Sequence, residues 1–413
     1  MANILDYITW RGDIPMKIDG FNEVDNLVLA KLSHINYTGV LPRPGEGEPL
    51  TLKETARKYF AIRGETGEDM GLLVPGDVPE LLRRAAQSVR FGDMKAGAYV
   101  DILDEEREEQ FAAFCVETDD GAVYCAFRGT DDTLVGWKED LNMGVLETGP
   151  SQRDALDYLV RAAELYPGRK LYVGGHSKGG NLAVYSAVFA PEKVQDRILA
   201  VYNNDGPGFR SDLSELEGYK RIAERIVTLK PQTSVVGQML EHSEKVTVVH
   251  STGSGIWQHN GFTWEVCGRE FVHLPDLSPS GKRTEDTLET VFSEQSIPQR
   301  EKFVNALYEV LTGTGARTLS DLSDEKLKSA KGMLRTYRNL DDDTRNALSE
   351  AITLLITQSA KRFMQDVRET QGKGVDELRS RAEGILRRFF DSEGREKDDN
   401  KPGENGENAK TEG

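Results

Sequence analysis

A short strand-like run passes directly into a serine flanked by glycines and then into a helix of small residues. Residues 171–174 are mostly apolar, Ser177 lies between Gly175 and Gly179, and residues 179–189 are rich in small side chains. A strand that turns abruptly into a helix forces the turn residue into a strained conformation with positive φ, and the two glycines leave room for that turn. The junction therefore predicts that the Ser177 hydroxyl stands clear of a sheet at a helix N-terminus, where the helix dipole favours developing negative charge.

The surrounding pattern places this junction in a mostly parallel sheet. Short apolar runs alternate with helical stretches, which is typical of βαβ units. The predicted strands are residues 98–103, 111–116, 123–127, 171–174, 198–202, 226–229 and 246–249. The predicted helices among them are residues 151–166, 179–189, 212–224 and 233–241. We therefore predict the α/β class, with helices flanking a mostly parallel central sheet.

Helical patterns precede and follow this region. The first hundred residues carry apolar side chains at helical spacing, and we expect this segment to cover the edge of the sheet. Four apolar stripes predict a helical C-terminal extension, with Gly313 as the first break between helices. The last 22 residues hold no aliphatic or aromatic side chain larger than alanine, so we expect a disordered acidic tail. The predicted domains are residues 1–295, 296–391 and 392–413.

Ser177 is the candidate nucleophile. A bare Gly-x-Ser-x-Gly is a weak signal, and the alternative is that the glycines only allow close packing of strand and helix. The strand before the serine and the small-residue helix after it are what a nucleophile elbow requires mechanically. A nucleotide-binding P-loop does not fit, because Lys178 precedes Gly179 instead of following it.

A serine nucleophile needs a general base, and six histidines are available. His259 lies in a loop rich in glycine and serine after the last predicted strand, where hydrolases with this kind of elbow carry their base. His250 adjoins the end of that strand and is the weaker candidate. His176 is next to Ser177, and we expect its side chain to point to the opposite side. A purely structural histidine is the alternative for His259 and His250.

The acid that orients the imidazole should come from a strand end between Ser177 and His259. Asp205 follows the first predicted strand after the nucleophile helix, in a turn rich in glycine and proline. The alternative is that Asp205 only caps this turn, as aspartate before glycine often does. Asp212 is a poorer candidate, because its setting is typical of a helix cap.

Two backbone amides are needed to stabilise the oxyanion of a tetrahedral intermediate. One is the amide of Lys178, which directly follows the nucleophile. The second should come from the loop after the predicted strand 123–127, and Thr130 is the candidate there, with its hydroxyl as a third candidate donor.

These motifs resemble those of the fungal-type (class 3) lipases of the α/β-hydrolase superfamily. The resemblance is carried by Ala126-Phe-Arg-Gly-Thr130, by Trp137 and Asp140 after it, and by Gly175-His-Ser-Lys-Gly179. The chain is still more similar to a group of bacterial lipase-like proteins with the motif Gly-His-Ser-Lys-Gly-Gly-Asn-Leu-Ala. That group also has an Asn-Asp-Gly-Pro-Gly-Phe turn and a Gln-His motif before an aromatic strand. The resemblance extends over about residues 1–275.

The resemblance implies an α/β-hydrolase fold and assigns most of the candidate residues. It implies Ser177 as nucleophile, His259 as base, and Thr130 with Lys178 as oxyanion donors. In the class 3 lipases the acid follows a later strand, and here residues 230–234 at that position hold no carboxylate. The acid is then Asp205, or the site is a Ser-His dyad.

Composition limits the function. Across 413 residues, 52 Lys+Arg face 69 Asp+Glu, a net charge of −17, so the chain lacks the basic footprint that nucleic-acid binding needs. No apolar run of about 20 residues could span a bilayer, and the N-terminus lacks the features of a secretory signal, so we expect a cytoplasmic protein. The three cysteines have no CxxC spacing, which argues against a structural zinc site or a disulfide framework. We expect neither a metal nor a cofactor.

The hypothesis from sequence is a serine hydrolase that cleaves acyl or lipid esters through an acyl-enzyme. Residues 101–150, which include the Thr130 loop, carry a net charge of −11, and this favours neutral esters over anionic substrates such as acyl-CoA. A thioesterase or an amidase would use the same residues. The alternative from another class is a non-catalytic binding or scaffold protein on a hydrolase fold, with the C-terminal helices as its working surface. The sequence identifies no protein partner for those helices.

Overall fold

The computed structural model describes residues 1–71, 74–324, 326–341 and 345. The last two predicted stripes of the C-terminal extension, residues 348–356 and 375–390, lie outside the described residues. The predicted tail, residues 392–413, lies outside them as well.

The helices and strands follow the predicted alternation. The N-terminal elements are α1 (Ile4–Arg11), α2 (Glu23–Leu32), β1 (Leu50–Thr51), α3 (Leu52–Arg63) and α4 (Val78–Gln87). The central elements are β2 (Lys95–Asp104), β3 (Glu109–Glu117), β4 (Val123–Phe127), α5 (Leu134–Asn142), α6 (Pro150–Leu165), β5 (Leu171–His176), α7 (Lys178–Phe189), α8 (Glu192–Gln195), β6 (Ile198–Asn204), α9 (Glu217–Ile222), β7 (Ile226–Pro231) and β8 (Val246–Val249). The C-terminal elements are β9 (Val266–Cys267), β10 (Glu270–Phe271), β11 (His273–Leu274), α10 (Pro279–Glu294), α11 (Ile297–Thr312), α12 (Leu319–Asp324) and α13 (Lys326–Asn339).

In the described residues, nine strands form one sheet in the order β1-β2-β3-β4-β5-β6-β7-β8-β11. The five strands from β4 to β8 run parallel, and antiparallel pairs flank them on both sides. Helices cover both faces of this sheet. The predicted fold class is confirmed: the chain has an α/β-hydrolase architecture with a mostly parallel central sheet and flanking helices.

The alternation of side chains along β4 decides which helices cover which face. Tyr124 and Ala126 belong to a core shared with the N-terminal helices, including Leu27 of α2. Val123 and Phe127 belong to the opposite core, which α6 and α7 complete. The N-terminal region does cover one edge of the sheet, through β1, which pairs with β2, but the expectation is incomplete. Its apolar side chains also pack on one face of the sheet, because alternate residues of the strands are apolar on that side too.

Two of the predicted helices are shorter in the structure. The predicted helix 212–224 is reduced to α9, and the predicted helix 233–241 to one 3₁₀ turn, Val236–Gln238. Asp212 accepts a hydrogen bond from the Ser214 amide at 2.9 Å, so its carboxylate forms a local turn that competes with helix. Asp212 therefore does not cap a helix as the sequence indicates, because α9 begins only at Glu217 and its N-cap residue is Leu216.

The described start of the C-terminal extension is helical, as predicted. α11 ends at Thr312 with Gly313 as its C-cap, and Val310 of α11 and Tyr337 of α13 belong to one small apolar cluster. No helix in the described part of the chain is both long and apolar enough to cross a membrane. The predicted domain boundaries stay predictions.

Candidate active site

The carboxyl ends of the parallel strands carry the candidate residues to one edge of the sheet. Thr130 follows β4, Ser177 follows β5, Asp205 follows β6, and His259 lies in the loop after β8. Loops at this edge meet because parallel strands all end there, which is where α/β sheets form their sites.

Ser177 occupies a strained turn between β5 and α7. Its φ of 58° and ψ of −134° lie in a region that residues with a side chain rarely adopt. A Cβ on Gly175 would lie 2.3 Å from the Gly179 carbonyl oxygen, and a Cβ on Gly179 would lie 2.2 Å from that of Phe127. The two glycines are therefore needed for close packing as well as for the turn.

Asp205 and His259 form a hydrogen bond across 54 positions of sequence. His259 Nδ1 lies 2.6 Å from Asp205 Oδ2, the Asp205 side chain is fully buried, and 22% of the His259 side chain is exposed. Because a carboxylate accepts, Nδ1 carries the proton and Nε2 is left free to accept one. Asp205 also has a positive φ of 52°, and its amide donates to the Leu229 carbonyl at 2.7 Å, which fixes its backbone.

Ser234 is a residue of this site that the sequence analysis did not identify. Its hydroxyl donates to Asp205 Oδ1 at 2.5 Å and accepts from the Gly237 amide at 2.9 Å. Both oxygens of the buried carboxylate therefore have partners, one on each side. Ser234 is the last residue of the stretch 230–234, where the sequence resemblance led us to look for an acid, and this position is the sequence signal that could have identified it. The structure has a serine there that holds a carboxylate supplied by the neighbouring strand.

Under the hydrolase hypothesis from the sequence, replacing Ser234 by alanine should lower kcat for ester hydrolysis about tenfold and leave KM nearly unchanged. The variant leaves Asp205 Oδ1 buried without its hydrogen-bond donor. The lost interaction is worth about 1–3 kcal/mol, and without it the Asp205 carboxylate is held less firmly against His259. Steady-state kinetics would measure this. Thr233→Ala removes a neighbouring hydroxyl that bonds Ser278 instead of the acid, and should behave as wild type. Equal kcat in the two variants would contradict a positioning role for Ser234.

His176 contacts the candidate base directly, which sequence reasoning also missed. Its Nε2 lies 2.7 Å from the His259 carbonyl oxygen, and the two imidazole rings are 4.6 Å apart. Burial holds the pKa of His176 well below its usual range, with the nearby Lys31 charge acting in the same direction, so the ring is neutral. Nε2 then carries the one proton and donates to the carbonyl, and Nδ1 accepts from Lys31 Nζ at 3.4 Å. His176 thus ties the backbone of His259 to the elbow.

Lys31 is fully buried behind this histidine. Within the described residues, no carboxylate forms an ion pair with it. Burial lowers its pKa to about 7. The unfolded chain keeps the lysine proton up to its ordinary pKa of about 10.4, so the folded state is penalised below pH 7 and the penalty fades as the pH rises above that value.

Lys31→Met should therefore stabilise the protein by about 2 kcal/mol at pH 6. The variant no longer buries a charge, and this gain exceeds the loss of the hydrogen bond to His176. The advantage should shrink between pH 7 and pH 10, by up to about 1.4 kcal/mol per pH unit. Urea unfolding at pH 6, 8 and 9 would measure it. Lys53→Met, at an exposed lysine paired with Asp93, should show no such trend. A Lys31→Met protein that is less stable at pH 6 would refute the prediction.

The loop after β4 passes directly beside Ser177. A Cβ on Gly129 would lie 3.2 Å from Ser177 Cβ and 2.5 Å from the His176 carbonyl oxygen, so only glycine fits there. The next residue is Thr130, whose amide has no hydrogen-bond partner within the described part of the chain. Its hydroxyl donates to Asp140 Oδ2 at 2.5 Å. In this arrangement the hydroxyl is engaged, so only the amide is available as a donor.

A buried polar cluster supports both candidate oxyanion donors. Lys178 Nζ donates to Glu139 at 2.8 Å and to the Gln110 carbonyl at 2.7 Å, with its side chain fully buried. Burial raises the pKa of Asp140 to about 6, while Lys178 and the Thr130 hydroxyl favour its charged form. Because Glu139 and Asp140 are adjacent on α5, this helix holds the Lys178 side chain and the Thr130 hydroxyl together.

The two weaker candidates have other hydrogen-bond partners. His250 Nδ1 is 2.7 Å from Glu265, not from Asp205, and His250 directly follows β8. Asp212 bonds Ser243 and Ser214 at the surface. In the described residues no group of three or more histidine, cysteine or acidic side chains is placed to hold a metal ion.

A comparison with protein families matches the Mbeg1-like family model to residues 85–309, more than half of the chain. No curated protein matches the sequence. The family match includes β4, the elbow, Asp205 and His259, so it extends over the candidate site.

Solved structures give distant likenesses. A mutant of MDLA from Penicillium cyclopium is 13% identical at a TM-score of 0.37, covering 62% of this chain and 87% of that one. A structure described as a fungal lipase is 12% identical at a TM-score of 0.38, covering 64% and 90%. The Lip2 lipase from Yarrowia lipolytica is 11% identical at a TM-score of 0.31, covering 56% and 80%. At these values the chemistry of the site has to be argued from this chain's own residues.

Proposed function

The chain belongs to the Mbeg1-like family, and we propose that it is a serine hydrolase that cleaves carboxylic esters through an acyl-enzyme. The observation that carries the proposal is the 2.6 Å hydrogen bond from His259 to the buried Asp205, beside a strained serine elbow. A buried carboxylate that orients a partly exposed imidazole is the arrangement that activates a serine hydroxyl.

The proposed reaction has two halves. Ser177 Oγ attacks the ester carbonyl while His259 Nε2 takes its proton, and the tetrahedral oxyanion is bound by the amides of Thr130 and Lys178. His259 then returns the proton to the leaving alcohol, which leaves an acyl group on Ser177. Water, deprotonated by the same nitrogen, releases the acid. Asp205 holds the imidazole in the required tautomer and stabilises its charged form throughout.

The substrate class is proposed from charge. The segment from residue 101 to residue 150 carries a net charge of −11 and includes the Thr130 loop, so anionic substrates are repelled near the site. Neutral acyl or lipid esters, acting as small-molecule substrates, therefore suit the site better than acyl-CoA. Thioesters and amides would use the same residues, and the site would act on them in the same way.

The direct test is a series of neutral p-nitrophenyl esters of increasing acyl length, alongside a thioester and an amide of the best acyl group. We expect turnover of the esters and, in intact-protein mass spectrometry, an acyl adduct on the peptide that contains Ser177. A coenzyme A thioester and the neutral thioester of the same acyl group compare substrate charge. Absence of both turnover and adduct across the series would favour the non-catalytic scaffold alternative.

A further inference from the structure

A short segment of the C-terminal extension pairs with the loop that carries Thr130. This segment, the strap, comprises residues 317–320 at the start of α12. Leu134 donates its amide to the Arg317 carbonyl at 2.9 Å, and Thr133 and Thr318 form an antiparallel bridge. The strap thus forms one antiparallel bridge with the end of the loop, although the two segments lie some 180 positions apart in the sequence.

A second pair of hydrogen bonds fixes the loop closer to Thr130. The Leu319 amide donates to the Asp132 carbonyl at 3.0 Å, and the Ser320 amide donates to the Asp132 carboxylate at 3.0 Å. Asp132 is two residues from Thr130. Through these bonds the strap holds the backbone of the loop at Asp132.

The rest of the loop is held by contacts with β2, β3 and α5. Arg128 donates its amide to the Ala112 carbonyl at 2.9 Å and its guanidinium to Asp101 at 2.7 Å, and the Thr130 hydroxyl bonds Asp140. Residues 128–133 have no regular secondary structure of their own. An irregular loop keeps a catalytic amide in place only when contacts on both sides fix it, so the strap supplies the half of the support that the sheet does not.

The helices around the strap are anchored to the same region. Arg300 of α11 donates to the Gly144 carbonyl at 3.1 Å, and Lys138 Nζ of α5 lies 4.5 Å from the centre of the Tyr308 ring. α5 also carries Asp140, the partner of the Thr130 hydroxyl. The first part of the C-terminal extension therefore contacts both the loop and the helix that supports it.

We propose that the strap is a positioning element of the active site: it aligns the Thr130 amide with the oxyanion, and this is one function of the C-terminal extension. The inference rests on the proposed hydrolase function. An oxyanion donor acts in the transition state more than in the bound ground state, so loosening it lowers kcat and leaves KM in place. Removing one such donor outright costs about 10²–10³ in rate, and we expect a misaligned donor to cost about tenfold.

Leu319→Pro in the full chain removes the amide that donates to Asp132. Proline suits this position, because Leu319 is the first residue of α12 and the bridged Thr318 before it is extended. Leu319→Ala loses the side chain but keeps the amide, so the ratio of the two variants isolates the hydrogen bond. We expect kcat for the best ester to be about tenfold lower in Leu319→Pro than in Leu319→Ala, with KM equal within twofold.

Two further measurements separate alignment from loss of structure. An alkyl boronic acid, which binds the nucleophile as a tetrahedral anion, should bind Leu319→Pro about tenfold more weakly than Leu319→Ala. Glu217→Pro places a proline at the first position of α9, away from the site, and should keep wild-type kcat. Thermal unfolding of all three variants reports whether each is folded.

The outcomes divide cleanly. Equal kcat and equal boronate affinity in the two Leu319 variants would overturn the inference and leave the proposed function standing. A parallel rise in KM would also overturn it, since the strap would then act on substrate binding. Wild-type protein without Ser177-dependent turnover would overturn both, because the strap would have no reaction to support.

Discussion

Ser177→Ala should abolish covalent labelling by a fluorophosphonate probe and reduce ester hydrolysis by at least about 10³-fold. The probe bonds only to an activated nucleophile, and the proposed reaction has no first step without the hydroxyl. Residual hydrolysis over the uncatalysed rate, from the oxyanion donors and substrate binding alone, is expected. In-gel fluorescence and initial rates on the best ester measure the two effects.

The matched control is Ser186→Ala in α7, the helix that Ser177 directly precedes. Ser186 is buried in α7, and its hydroxyl donates to the Ala183 carbonyl, so the substitution removes a serine hydroxyl without touching the site. It should label and turn over as wild type. Equal labelling of Ser177→Ala and wild type would end the assignment of Ser177 as nucleophile, and with it the proposed mechanism.

Asp205→Asn should lower kcat by about 10³–10⁴-fold while the fold is retained. Asparagine tolerates the positive φ at this position as well as aspartate does, so the backbone is not strained further. The amide, however, can present its NH₂ to His259 Nδ1, which places the imidazole proton on Nε2. The base atom is then already protonated and cannot take the proton of Ser177.

This variant also decides between a triad and a Ser-His dyad. In a dyad, Asp205 would only cap its turn, and the change to asparagine would alter kcat less than about tenfold. Asp212→Asn, at the other candidate acid, should leave kcat unchanged because Asp212 bonds only surface serines. A large loss in Asp212→Asn together with a small one in Asp205→Asn would reverse the assignment.

The sequence predicted the elements around the site well because their signals are local. The strand of residues 123–127 and the strand of residues 246–249 have their predicted bounds, and the elbow at Ser177 lies where the glycines place it. Strand ends could be located, so Asp205 and His259 could be chosen as candidates. Their hydrogen bond could not be derived, since it joins two loops that meet only when the whole sheet has formed.

The supporting residues were missed for the same reason. Ser234 bonds an aspartate 29 positions away, and Lys31 bonds a histidine 145 positions away. Nothing in the local pattern of a serine after a strand, or of a lysine in an amphipathic helix, distinguishes these residues from ordinary polar ones. A buried lysine in particular goes against what helix periodicity predicts.

The sequence by itself determined the strained serine turn and the alternation of strands and helices around it. Backbone sterics at glycine and the alternation of apolar residues act over a few positions, so they are written into short stretches of chain. Only the tertiary structure decided which carboxylate meets His259, that Ser234 holds it, and that residues 317–320 pair with the Thr130 loop. Those contacts form when two cores pack against one sheet, because this packing brings together residues that lie tens to hundreds of positions apart in the sequence.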